Sequence, residues 1–346
     1  MKSSPSYVPR VCVLSGNPGR WSAAQQSADH IENGVEAWVF AFKCDYIGHN
    51  NFTDADLKSY DIIIGNGNNP LKRLLRWASK RPASVKWVMQ IEGNADSYIA
   101  PHPLFSELCN ASNVVNCINE HSLPYFATLT TTPVRPIGIP YPIDEVKRFI
   151  VPYADRKRRT LICPMLLQRR TDYEAARRMG IDYYGYEFHY TRKGREIMRR
   201  LWNHEPISFD KKRNYKIAEA LYNDPALTIR KQDNMLGYYQ NNSDAMLWVN
   251  LDNRFTWARY VLDAAALQIP IITTPYTVHG PRLFPHTTVE NEWAIDSAAA
   301  IGRRLIDDRE FYLKTVEYAA EKLGYYTAAS TIARLYSALG ITDTDR

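Results

Sequence analysis

The chain has 346 residues, 45% of them hydrophobic and 23% charged, a balance that fits a folded globular protein and excludes a disordered or collagen-like chain. At roughly 100–200 residues per domain, this length suggests two domains. Lys and Arg number 43 against 37 Asp and Glu, a formal net charge of +6, and no apolar stretch reaches the roughly 18 residues of a membrane span.

The longest apolar candidate, 261–273, is interrupted by Asp263, Gln268 and Pro270. The first apolar run, 11–14, is shorter than the roughly 7–15 residues of a signal-peptide core, so no secretory signal is expected. Five cysteines (Cys12, Cys44, Cys109, Cys117, Cys163) form no C-x-x-C pair. They predict a reduced, cytoplasmic protein without a disulfide scaffold or zinc site.

In chain order, 10–15 reads as a strand that ends in Gly16-Asn17-Pro18-Gly19, with a helical stretch over 22–31. Further strands are predicted at 36–42, 60–64, 85–91, 113–118 and 134–137, with helical or loop segments between them. The pattern restarts with a strand at 159–163, a helix through Arg178, and strands at 182–186, 227–229, 245–250 and 269–272. A helix is expected over about 256–267, and 293–338 is nearly all helical pattern. Alternating strands and helices predict an α/β protein with parallel sheets, two Rossmann-like doubly wound domains. Pro136, Pro140, Pro142 and Pro152 mark the junction. The expected division is 1–145, 146–325 and a C-terminal helix over 326–346.

Charge is unevenly spread. Residues 148–216 hold 18 basic and 8 acidic side chains, in blocks such as Arg156-Lys157-Arg158-Arg159 and Lys211-Lys212-Arg213. Such a segment favours a polyanionic partner. A second basic feature is the predicted helix with Leu71, Leu74, Leu75 and Ala78 on its buried stripe. Arg73, Arg76 and Lys80 then fall outside, with Trp77 among them, as candidates for binding a polyanion by charge and stacking. A surface helix whose Trp tucks under a loop is the plainer alternative.

No P-loop, H-E-x-x-H or G-x-S-x-G occurs. Gly65-Asn66-Gly67 is read as a turn after a strand rather than a dinucleotide fingerprint. Asp54-Ala55-Asp56 has a metal-binding look, but Thr53 to Asp56 also spells a helix-capping pattern, so no metal site is assigned. Gly16, Asn17, Gly19 and Arg20 form a loop between the first strand and the next helix, the edge at which open α/β sheets bind ligands. Its amides suit a phosphate or sugar of the acceptor, and a plain tight turn is the alternative.

The most informative stretch is 235–275, where a helix and strand lead into a loop, an acid-bearing helix and a second buried strand. This order resembles the donor site of GT-B nucleotide-sugar glycosyltransferases, especially the retaining group related to glycogen and sucrose synthases. The resemblance implies that Asp263 in Leu262-Asp263-Ala264-Ala265-Ala266 holds the ribose hydroxyls, with Arg254 and Thr256 at the donor loop. The family's first acid of its E-x7-E pair falls on Phe255, and Asp252 is the nearest substitute. Gly138-Ile139-Pro140-Tyr141-Pro142-Ile143-Asp144 is similar to the family's interdomain segment, and its wording is similar to that of phage-encoded relatives, some of which glycosylate modified bases in DNA. Arg169 and Arg170 match the side chains that clamp the donor diphosphate.

Sugar transfer expels a nucleoside diphosphate, and a helix N-terminus with two guanidiniums stabilises that charge without a metal or a tightly bound cofactor. For the acceptor hydroxyl, the candidate acid–base groups are Glu92, directly after the 85–91 strand, then Asp96, then His121. The resemblance implies a UDP-sugar donor in the second domain, an acceptor in the first, a last helix returning to the first, a cleft between the two and retention at the anomeric carbon. A hydroxymethylated base in DNA is the first choice of acceptor, placing a phage-encoded enzyme in the host cytoplasm. A surface glycan or lipid-linked acceptor at an anionic membrane is the second. A non-catalytic nucleotide or nucleic-acid binding protein is the reading from another class.

Overall fold

A computed structural model describes residues 8–16, 18–27, 30–32, 34–66, 71–92, 102–162, 170–186, 225–230 and 234–341. The chain divides into two compact units. Unit 1 is Met1–Ile143, Phe255–Trp257 and Gly324–Arg346, and unit 2 is Asp144–Arg254 and Ala258–Leu323.

Unit 1 is built on strands β1 (Val11–Ser15), β2 (Arg20–Ser22), β3 (Asp45–Gly48), β4 (Ile62–Asn66), β5 (Lys86–Ile91), β6 (Val114–Cys117) and β7 (Val134–Arg135). Their spatial order is β2-β3-β1-β4-β5-β6-β7. All pairings are parallel except β2 on β3. Every residue of β1 and β4 is buried, as parallel strands covered on both faces require. The order turns back between β1 and β4, the switch point at whose carboxyl end such sheets bind ligands. Gly65 lies within β4, not in a turn after it. A Cβ there would come within 3.1 Å of the Trp87 ring, so the small residue makes room for the indole.

The helices of this unit include α1 (Ala37–Phe42), α2 (Leu71–Lys80), α3 (His102–Asn110) and α4 (Leu123–Ala127). The 36–42 segment is therefore a helix and not the expected strand. An apolar run this short has no decisive period, and the chain leaves it through Lys43 in the left-handed region at φ 52° before entering β3. The helix expected over 22–31 is also corrected. Arg20–Ser22 pairs with β3, and among the described residues up to Ile31 a single 3-10 turn, Ala23–Gln25, follows.

Helix α2 sends Leu74, Trp77 and Ala78 into the core. Trp77 is 5% exposed and meets Phe52 edge-on at 4.8 Å between ring centroids. It is a core residue and has no face to offer a stacked base, which corrects its assignment as a polyanion contact. Arg81 fixes the end of this helix, donating to the carbonyls of Ala78, Val85 and Ala111 and to Asn113 Oδ1.

Helix α5 (Ile143–Lys147) has its first residue in unit 1 and the rest in unit 2, which continues with β8 (Lys157–Ile162), α6 (Arg170–Met179), β9 (Asp182–Tyr186), β10 (Leu227–Arg230), α7 (Met235–Asn242), β11 (Ala245–Asn250), α8 (Arg259–Ala266) and β12 (Ile271–Thr273). The order β10-β9-β8-β11-β12 is wholly parallel and reverses between β8 and β11. Helices α9 (Gly280–Leu283), α10 (Ile295–Asp307) and α11 (Arg309–Lys322) follow, while α12 (Ala328–Leu339) belongs to unit 1. There Arg334 donates to the Ile137 carbonyl at 2.9 Å.

Part of the basic segment serves this architecture. Arg156 is 7% exposed and donates to four carbonyls, those of Ser243 (2.7 Å), Ala245 (3.1 Å), Leu267 (2.9 Å) and Gln268 (3.2 Å). It ties the start of β8 to the turns before β11 and β12. Arg159 is engaged by Asp244, beneath the Tyr184 ring. Neither is available to a polyanion. The blocks from Arg192 to Arg213 lie outside the described residues.

Replacing Arg156 by Met takes this donor from the buried carbonyls of Ser243, Ala245 and Leu267, while the Gln268 carbonyl keeps the Tyr312 hydroxyl. At about 1–3 kcal/mol for each buried group left unsatisfied, the variant should lose at least 3 kcal/mol in a denaturant melt. A loss below 1 kcal/mol would mean the clamp is dispensable.

Candidate active site

Several of the sequence-predicted residues follow the carboxyl ends of strands, while Arg73, Arg76, Trp77 and Lys80 lie on α2 and Asp263 lies within α8. In unit 1, β1 runs into Gly16, β4 ends on Asn66, β5 runs into Glu92, and β6 leads to Asn119 and His121. Asn17 and Asp96 lie outside the described residues.

The loop after β1 is tied to the loop after β3. Gly19 has φ 111°, a conformation suited to glycine. Its amide donates to Asn51 Oδ1 at 3.0 Å, and its carbonyl accepts from the Gly48 amide at 2.7 Å. Arg20 pairs with Asp56 at 2.7 Å. Asp56 also accepts from the Thr53 amide and hydroxyl, each at 2.7 Å. Burial alone would raise the Asp56 carboxyl, but the bonds from Arg20 and Thr53 outweigh it and hold the group below its ordinary value. Arg20 is thus a strut of the loop, still about half exposed on its side chain.

His49, which the sequence reading did not single out, follows β3 and is 4% exposed. Burial pushes its imidazole down to about 4. The Leu14 backbone opposes that shift and the Arg73 charge adds to it. Arg73 donates to the His49 carbonyl at 3.3 Å and to the Asn50 side chain. Arg76 and Lys80 are exposed on α2, and Arg76 lies 3.8 Å from Asp54.

Glu92 accepts from Asn66 Nδ2 at 3.1 Å and from Gln90 Nε2 at 3.4 Å. His121 is exposed on one side and covered on the other by Phe255, with ring centroids 4.9 Å apart. That burial lowers its imidazole, and Glu120 partly offsets the shift. Asn119 fixes the same corner, accepting from the His121 amide at 3.2 Å and donating to the Phe255 carbonyl at 2.7 Å. Phe255 and Thr256 therefore pack with unit 1, while Asp252, Arg254 and Asp263 belong to unit 2.

In unit 2, Asp252 is 1% exposed. It accepts from Arg254 Nε at 3.2 Å and from the Arg254 amide at 3.1 Å. Tyr260 reaches its other oxygen at 3.4 Å. Asp263 sits in the body of α8, 3% exposed, and accepts from the Tyr239 hydroxyl at 2.8 Å. Asp172, in the first turn of α6, accepts from the Leu251 amide at 2.6 Å and so joins α6 to the end of β11. Arg169 and the Arg170 side chain lie outside the described residues, although α6 begins at Arg170.

Both units are doubly wound, and the chain has the GT-B fold of glycosyltransferases. No protein-family model matches the sequence, and no curated protein does. Among solved structures, the chain is similar to the trehalose-6-phosphate synthase OtsA, with a TM-score of 0.66 and 11% identity over 96% of this chain and 99% of that one. It is similar to an E. coli structure described as trehalose-6-phosphate bound with UDP-2-fluoro glucose, with a TM-score of 0.65 and 10% identity over 96% and 99% of the two chains. It is also similar to an alpha-glucosyltransferase in complex with UDP and a 13-mer DNA containing a HMU base, with a TM-score of 0.62 and 11% identity over 96% and 100%. At these identities the likeness establishes the fold.

A His held near 4 when folded and near 6.5 when unfolded binds more protons in the unfolded state between those values. Stability therefore falls as pH drops from about 6.5 towards 4. Denaturant melts across that window should show the fall, and His49→Gln should flatten part of it. An identical slope in both proteins would contradict the placement of His49.

Proposed function

We propose that the protein is a glycosyltransferase that moves a sugar from a UDP-sugar to an acceptor hydroxyl, with a hydroxymethylated base in DNA as the acceptor. The observation that carries the reading is a carboxylate, Glu92, at the carboxyl edge of a GT-B sheet with an amide donor on each oxygen. Solved structures of the same fold include one described with UDP-2-fluoro glucose and one with UDP and DNA.

Unit 1 takes the acceptor and unit 2 the donor. The bond between the sugar's anomeric carbon and the diphosphate oxygen breaks, and UDP leaves with the electron pair. The acceptor oxygen forms the new bond to that carbon with retention, and its proton passes to Glu92, with His121 nearby on the same edge. Arg169, Arg170 and the start of α6 offset the charge growing on the diphosphate, so no metal is needed. Asp263 and the Asp252–Arg254 pair hold the nucleoside side of the donor. Arg73, Arg76 and Lys80 meet DNA phosphates from α2, and the target base is extruded from the stack.

Incubation with UDP-glucose or UDP-N-acetylglucosamine and hydroxymethylated duplex should add the mass of one sugar to that DNA and none to plain duplex. Glu92→Gln should slow transfer by on the order of 10²–10⁴. An Arg73→Glu, Arg76→Glu variant should bind DNA more weakly, with a shallower salt dependence. Donor hydrolysis without a DNA product would move the acceptor to a glycan or lipid. No turnover of either donor, with no shift in unfolding temperature on adding it, would favour a binding protein.

A further inference from the structure

Three amide side chains lie side by side across the centre of the unit 1 sheet. Asn66 of β4 is in register with Gln90 of β5, and Gln90 with Asn116 of β6. Their exposures are 5%, 0% and 0%. Amides this deep in an apolar sheet cost free energy unless every donor and acceptor is met.

The way each amide faces follows from partners that cannot be reversed. The Gly138 amide donates to Asn116 Oδ1 at 3.1 Å, and the Gly138 carbonyl accepts from Asn116 Nδ2 at 2.8 Å. Asn116 therefore cannot be turned over. The indole Nε1 of Trp38 is a donor only, and it meets Gln90 Oε1 at 2.7 Å. Asn116 Nδ2 approaches the same oxygen at 3.3 Å. The Gln90 amide nitrogen is thereby directed at Glu92 Oε1, 3.4 Å away, while Asn66 Nδ2 donates to Glu92 Oε2 at 3.1 Å. A fixed backbone group and a buried indole thus orient the Gln90 amide that meets this carboxylate.

We infer that Gln90 is a positioning residue for sugar transfer: its amide, locked by Trp38 and Asn116, holds the Glu92 carboxylate in the orientation that meets the acceptor hydroxyl. The inference rests on the reading of Glu92 as the proton acceptor. Proton transfer requires the carboxylate oxygen within hydrogen-bond reach of the hydroxyl, and small losses of orientation cost rate rather than donor affinity.

Gln90→Met removes the contacts with Trp38, Asn116 and Glu92 alike. Gln90→Glu keeps the oxygen facing Trp38 and Asn116, so it retains the buried partners, but it sets a second carboxyl against Glu92 with which Glu92 then shares a proton, so Glu92 is no longer a free base. With UDP-glucose and hydroxymethylated duplex, each variant should lose about ten- to hundredfold in kcat, with KM for UDP-glucose within about twofold of wild type. In the Glu92→Gln background, Gln90→Glu should cause no further loss, because the acid it positions is gone. Wild-type kcat in both Gln90 variants while Glu92→Gln is slow would overturn the inference, and so would fully additive losses, which mark a merely structural amide. Wild-type kcat in Glu92→Gln would instead remove the reading of Glu92 itself. Independently of turnover, the 13C titration of the Glu92 carboxyl should move to higher pH in Gln90→Met, since a donor to the charged form is lost. An unchanged titration would overturn the inference.

Discussion

A carboxylate at the mouth of a buried parallel sheet is stable only where donors meet it, and that constraint organises unit 1. Glu92 takes one N–H on each oxygen, from Gln90 and Asn66. Those amides are held in turn by Asn116, Trp38 and the Gly138 backbone. The apolar packing above and below, with Trp87 seated over Gly65, excludes water from the row and makes its hydrogen bonds obligatory. The loops after β1 and β3, knotted through Gly19, Asn51, Arg20 and Asp56, frame the same edge. The chemistry proposed for Glu92 is therefore inseparable from the polar interior of the strands beneath it.

Unit 2 solves a different problem with the same means. Its acids are engaged from within: Asp252 by Arg254 and Tyr260, Asp263 by Tyr239, and Asp172 by the Leu251 amide. Arg156 closes the opposite end of the sheet on four carbonyls. A guanidinium is suited to this because its five N–H groups form a rigid fork and it has no acceptor to satisfy.

The sheets were legible where the sequence pattern has one interpretation. Strands expected at 182–186 and 245–250 are Asp182–Tyr186 and Ala245–Asn250, and unbroken apolar runs marked β1 and β4. The 36–42 segment misled because six apolar residues fit a buried strand and a short buried helix equally well; the exit through Lys43 with positive φ has no sequence mark. Trp77 was placed among the cations by chain neighbourhood, whereas one helical turn carries it to the Leu74 face. Glu92 follows β5 directly, as the sequence pattern places it. The row that holds it was missed, although a signal existed: Gln90 and Asn116 interrupt runs that are otherwise apolar. An amide in a buried strand must have a partner, so these two residues asked where their hydrogen bonds go. Their register, and the contact of Phe255 with His121, depend on residues distant in sequence and could not be read from it.

The measurement that bears most directly on the account is a calorimetric titration of UDP into the wild-type protein and into Asp263→Asn. Asparagine retains an oxygen for the Tyr239 hydroxyl, so the fold should be preserved, while the charge that would hold the ribose is removed. Saturable UDP binding by the wild type is expected, with affinity at least tenfold weaker in the variant, a difference of about 1.4 kcal/mol. Absence of UDP binding by the wild type, or equal binding by the two proteins, would contradict it.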